Sequence, residues 1–145
     1  MLATGCGGSG YTKSDFVARA DAICASALRQ TRSIALPGAT QASGGQDGAL
    51  AAYLGKAVPV LDSEASQLRG LRQPPGNAQD KAALARYLAA LAQTVGYYKQ
   101  LAAAARRGDD QTVADTEAAL GSSRVYSLAT SYGLRSCGTP GATTA

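Results

Sequence analysis

Apolar residues recur at three- and four-residue intervals through four long stretches of this chain, a period that fits one face of an α-helix and no strand. Alternation of period two is missing, β-branched residues are few, and alanine makes up roughly a fifth of the 145 residues, which favours helix throughout. The first predicted helix begins after Thr12, which forms a capping-box-like T-x-x-D with Asp15, while Tyr11 and Phe16 stand at hydrophobic-staple positions. Its stripe runs Phe16, Val17, Ala20, Ile23, Cys24, Ala27, Leu28, Thr31, and it ends before Pro37-Gly38. Residues 37–46 have no periodicity and read as a mobile loop.

The second helix is predicted from about Asp47 to Leu71, with Leu50, Tyr53, Leu54, Ala57, Leu61, Ala65 and Leu68 on its apolar face. Pro59 removes the bond to the Gly55 carbonyl, which predicts a kink and not a break, because the apolar register continues across it. The third has Asn77 as N-cap, buries Leu84, Tyr87, Leu91, Val95, Tyr98, Leu101 and Ala105, and ends at Gly108 behind Arg106 and Arg107. The fourth opens on Asp109 and carries Val113, Leu120, Val125, Leu128, Ala129 and Tyr132, with Gly121-Ser122-Ser123 weakening its middle. Four amphipathic helices with mostly short connections predict an all-α, up-down-up-down four-helix bundle, residues 12–138, between a flexible N-terminal tether (1–11) and a disordered tail (139–145).

Composition narrows the chemistry. Histidine and tryptophan are absent, which excludes His-ligated zinc and every Ser/His/Asp or Cys/His mechanism. The net charge is +4, but the basic residues are scattered among acids and not interleaved with aromatics, so no nucleic-acid surface is predicted. The longest uncharged helical stretch, Tyr87 to Tyr98, is far short of the roughly 18 to 20 apolar residues a membrane span needs.

Three cysteines leave one over after any single disulfide. Cys6 follows the small residues Ala3-Thr4-Gly5 and precedes Gly7-Gly8-Ser9-Gly10, a context resembling a bacterial lipobox in which Cys6 becomes the lipid-modified first residue of the mature chain. Only Met1-Leu2-Ala3 stands where a basic region and an apolar stretch belong, so a segment upstream is expected to be missing. Gly5 to Gly10 also spells G-x-G-x-x-G, but with no room for a preceding strand it reads as a tether. Cys24 lies on the apolar face of the first helix and Cys137 in a Gly-flanked tail, and a disulfide between them is the economical pairing for an exported domain. The alternative leaves Cys24 a buried thiol and Cys137 an exposed one.

The run Asp15-Phe16-Val17-Ala18-Arg19-Ala20-Asp21-Ala22-Ile23-Cys24 resembles the first helix of small exported actinobacterial lipoproteins. The Ala57-Val58-Pro59-Val60-Leu61 segment, the Leu68-Arg69-Gly70-Leu71-Arg72-Gln73-Pro74-Pro75 stop and Cys137-Gly138 are similar to the same group. The resemblance implies export and an all-helical, disulfide-tied domain, and it implies no activity.

Catalytic constellations are weak. Asp62 and Glu64 are two apart and point to different faces of a helix, and Asp109 and Asp110 are accounted for by a helix N-terminus. The acidic residues miss the apolar stripes, so neither a carboxylate metal site nor any other cofactor is expected. Tyr53, Tyr87, Tyr98 and Tyr132 all lie on those stripes, where they are either bundle core with hydroxyls reaching the surface or the lining of a small hydrophobic pocket. The expectation is a non-enzymatic binding or scaffold module, held by lipid on Cys6 at the extracytoplasmic face of the cell membrane, with an envelope protein or polymer as partner. The alternatives are a carrier of a small hydrophobic ligand in the Tyr-lined interior and an accessory subunit of a membrane-protein complex.

Overall fold

The computed structural model describes residues 10–36 and 46–141. Cys6, most of the predicted tether and the predicted 37–46 loop up to residue 45 lie outside them. Among the described residues the chain is all-helical, with five helices and no strand: α1 (Lys13–Arg32), α2 (Gln46–Gly70), α3 (Ala78–Arg107), α4 (Asp110–Gly121) and α5 (Val125–Tyr132). No helix among them is long and apolar enough to cross a membrane.

The helix ends follow local chemistry. Thr12 Oγ1 accepts from the Asp15 N–H at 3.2 Å, and the Thr12 N–H donates to the Asp15 carboxylate at 2.8 Å, so two orphan donors of the first turn are satisfied reciprocally. The accepted hydrogen bonds from Thr12 hold the Asp15 carboxyl below its usual range. Thr12→Ala is expected to cost about 1 kcal/mol in urea unfolding, with the far-ultraviolet spectrum of the folded state unchanged. Asn77 caps α3 through the Asp80 N–H at 2.8 Å, and α3 ends at Gly108, whose φ of 64° is the left-handed conformation that glycine adopts without steric cost. Asp109 caps α4 through the Thr112 N–H at 3.1 Å. α2 runs through Pro59 without a break.

The predicted fourth helix is two helices. After Gly121 the chain leaves helical geometry, and Ser123 Oγ pairs with Thr94 Oγ1 of α3 at 2.8 Å while accepting from the Val125 N–H at 3.4 Å. A serine hydroxyl that competes for backbone partners and docks on a neighbouring helix favours a cap over continued helix. α5 then ends at Gly133, with φ 106°, and the Leu134 N–H donates to the Ala129 carbonyl at 2.9 Å. That turn sends Leu134, fully buried, into the core.

α3 packs against α2, α4 and α5, and α1 packs against α2. The buried side chains fall into two clusters. One contains Phe16, Cys24, Leu68, Leu84, Tyr87 and Leu134, and the other contains Tyr53, Leu54, Ala57, Leu101 and Ala102. α1, α2 and α3 supply most of both, and α5 with the chain after it adds Val125, Ala129, Tyr132, Leu134 and Cys137 to the first.

The chain after α5 closes the space between α5 and α1. Cys137 forms a disulfide with Cys24, with Cα atoms 5.0 Å apart. One turn before Cys24, the Asp21 carboxylate accepts from the backbone N–H groups of Arg135 at 3.1 Å and Ser136 at 2.9 Å. Gly138 completes this turn: a Cβ there would overlap the Thr130 hydroxyl and come within 2.9 Å of the Leu134 carbonyl oxygen. The glycine after the cysteine is therefore required by close approach.

Candidate functional site

Where the two core clusters meet, packing is incomplete. A partly open cavity of about 70 Å³ lies between α1, α2, α3, α5 and the C-terminal segment. At the 10 to 15 Å³ that one water needs on this measure, the space holds roughly five waters or a group of about five heavy atoms. Its apolar walls include Leu28, Leu61, Leu91, Val95 and Val125, and Thr139 and Gly141 of the predicted tail also line it.

Three of the four tyrosines that the sequence leaves as either core or pocket lining, Tyr53, Tyr87 and Tyr98, line this cavity. Tyr132 does not. It sits at the other end of α1, with its ring edge-on to Phe16 at 6.0 Å between centroids and the Lys13 ammonium 4.5 Å from its centroid. Its place is taken by Tyr126, on the first turn of α5. Burial raises the pKa of three of these phenols: Tyr126 is pushed to about 12, while Tyr53 and Tyr87 are also shifted up. They are neutral hydroxyls at physiological pH, able to donate or accept a hydrogen bond.

The acidic residue in this cavity is Glu64. The sequence expectation that acids miss the apolar stripes fails here, for a geometric reason. Glu64 is three residues after Leu61 and four before Leu68, so it lies on the buried face of α2. Asp62 points away from it, as two-residue spacing requires, and pairs with Lys99 Nζ at 2.7 Å where both side chains are about half exposed. Glu64 makes no ion pair or hydrogen bond among the described residues, and burial alone pushes its carboxyl up to about 7. Its charge is felt at Tyr87 and Tyr126, whose ionisation it opposes. No lysine or arginine lines the cavity among the described residues.

Three of the other hydroxyls in the walls, those of Thr31, Thr94 and Thr139, are already used. Thr31 Oγ1 donates to the Ala27 carbonyl at 3.1 Å, and Thr94 Oγ1 is engaged with the Ala90 carbonyl and Ser123. The site thus presents one carboxyl group and a set of phenols on an apolar wall. The sequence signal for it was the glutamate inside a leucine stripe.

Asp109 and Asp110 stay at the N-terminus of α4, where Asp109 serves as cap and its carboxyl is held low by the Thr112 hydrogen bonds. No group of three or more metal-ligating side chains is brought together among the described residues. Searches of protein-family models, curated proteins and solved structures with this chain find no match.

Proposed function

We propose that the protein is a non-catalytic, extracytoplasmic binding module whose ligand is a small molecule seated in the Tyr53/Tyr87/Tyr98/Tyr126 cavity, and that lipid on Cys6 holds it at the membrane surface. The observation that carries the binding role is Glu64, a carboxyl group on the apolar face of α2 with no partner among the described residues. Leaving a partly buried ionisable group unpaired costs stability, and groups perturbed in this way cluster at functional sites. A single carboxyl with neutral phenols offers recognition and no acid/base pair, which supports binding over catalysis.

The anchoring part is supported by the lipobox-like context of Cys6, by the disulfide and by the resemblance to exported lipoproteins. Two or more acyl chains on Cys6 would hold the domain stably, where one would not. An up-down-up-down course suits this arrangement. Its support is that the start of α1 meets both the end of α5, through Phe16 and Tyr132, and the start of α3, through Lys13 and Asp80 at 2.8 Å. The tether would then leave the end of the bundle away from the cavity, whose walls include Thr31 at the far end of α1 and Tyr53 early in α2.

Two measurements test this proposal. Mass spectrometry of the protein from its native membranes is expected to show acylated Cys6, and an unmodified Cys6 there would remove the anchor. A thermal-shift screen of small molecules of five to eight heavy atoms is expected to raise the melting temperature, as any ligand that binds only the folded state must. Hits should lose their effect in Leu91→Phe, which fills the cavity. A screen with no stabilising compound, or hits indifferent to that substitution, would refute the binding role.

A further inference from the structure

Building on the ligand-binding role proposed above, we infer that the cavity selects an organic ammonium cation: a quaternary or substituted amine whose positive nitrogen is neutralised by Glu64 and whose alkyl groups rest on the surrounding apolar and aromatic walls.

Three features of the site converge on that chemistry. The first is charge. The cavity contains a carboxyl group and no lysine or arginine among the described residues, so an anionic guest would face Glu64 with nothing to offset the repulsion. A neutral guest would leave the carboxylate unpaired, whereas a cation removes the cost of its burial. The second is the walls. Tyr53, Tyr87, Tyr98 and Tyr126 surround the space with aromatic side chains, the environment in which quaternary ammonium groups are held. A bare metal ion would demand several oxygen ligands in fixed geometry, and the cavity brings one carboxylate against leucine and valine. The third is size. Space for roughly five waters matches a quaternary nitrogen with its four attached carbons, three methyls and the first carbon of a substituent, and the partly open mouth admits the rest of a short substituent.

The decisive comparison uses choline and 3,3-dimethylbutan-1-ol, which share shape and hydroxyl and differ by the charge of one central atom. Binding of each to the oxidised full chain is measured by calorimetry at pH 8, where Glu64 is ionised. Choline is expected to bind at least about tenfold more tightly than the neutral alcohol. Glu64→Gln is expected to abolish that preference, while Asp62→Asn, which removes an equal charge from the outer face of the same helix, is expected to keep it. Glu64→Gln removes an unpaired acid, so loss of folding does not confuse the result.

If the alcohol binds as well as choline, or if Glu64→Gln leaves the preference intact, the ammonium inference is overturned while the cavity keeps its binding role. If neither compound binds at millimolar concentration, the ammonium inference is likewise overturned, and the Leu91→Phe comparison in the wider screen decides separately whether the cavity binds anything. Equal loss of preference in Asp62→Asn would assign the effect to the general field of the protein and would also overturn the inference.

Discussion

Breaking the Cys24–Cys137 bond is expected to lower the unfolding free energy by about 4 to 5 kcal/mol, the chain-entropy value for a loop of this size. The bridge spans 113 residues, nearly the whole described domain, so its opening frees more chain in the unfolded state than any shorter link would. Total stability of a small domain is only about 5 to 15 kcal/mol, so the reduced protein is expected to be marginal at body temperature. Native-state contacts add to the effect. α1 meets α5 through Phe16 and Tyr132, and further along α1 the segment from Leu134 to Gly141 packs beside it. That segment is tied to α1 by the disulfide and by the backbone N–H groups of Arg135, Ser136 and Cys137, which donate to Asp21. Because Cys137, Thr139 and Gly141 are also cavity walls, Cys24→Ser/Cys137→Ser should lose ligand stabilisation along with its own. Urea unfolding of the oxidised protein and of this double variant checks the first claim, and a difference below about 1 kcal/mol would contradict the entropic estimate. The variant with both sulfurs removed is preferred to chemical reduction because it leaves no thiols to reoxidise or exchange.

The legibility of this fold in its sequence divides along the range of the interactions. Caps at Thr12, Asn77, Gly108 and Asp109 depend on residues three or four apart, and each appears where the local pattern places it. The core stripes of α1 to α3 are equally local, because 3.6-residue periodicity assigns a face before any neighbour is known. The break at Ser122 to Arg124 was visible only as a weakness. What turns it into a break is Ser123 meeting Thr94, a residue 29 positions earlier. The same limit explains the tyrosines. Tyr132 and Tyr87 both lie on predicted apolar faces, yet one ends against Phe16 and the other against the cavity, and periodicity does not distinguish the two ends of a stripe. Tyr126 stands off the predicted stripe and lines the site beside Val125, where Gly141 of the closed tail also forms a wall, a juxtaposition that periodicity does not show. Glu64 was different: its position was legible, at the spacing of Leu61 and Leu68, but its charge made a solvated face the ordinary expectation.

Glu64 also predicts how stability depends on pH. Its carboxyl ionises near 4.5 in the unfolded chain and at about 7 in the folded one, because burial disfavours the charged form. The folded state therefore binds this proton more tightly, and raising the pH between those values favours unfolding. Below about pH 4.5 the group is protonated in both states and costs nothing. Between about 4.5 and 7 the cost grows, and above about 7 it is complete, at about 2 to 3 kcal/mol for a side chain that water still partly reaches. This slope runs opposite to that of Asp15 and Asp109, whose lowered carboxyls contribute stability lost only as pH falls through a more acidic range. Titratable groups facing Glu64 do not cancel it: Tyr87 from α3 and Tyr126 from α5 stay neutral throughout this window, and Asp21 of α1, whose charge reaches Tyr87, has the same sign as Glu64. Glu64→Gln is expected to equal the wild type in urea unfolding at pH 4 and to exceed it by about 2 kcal/mol at pH 8. A wild-type profile that is flat from pH 5 to 8, or a variant no more stable at pH 8, would mean that the carboxylate is already satisfied in the folded protein. The stability forgone at neutral pH is also the free energy available to a cation that pairs with Glu64, so ligand affinity should rise across the same interval in which the free protein weakens. A carboxyl group buried for packing alone would show the first trend without the second, and one placed for a positively charged guest should show both.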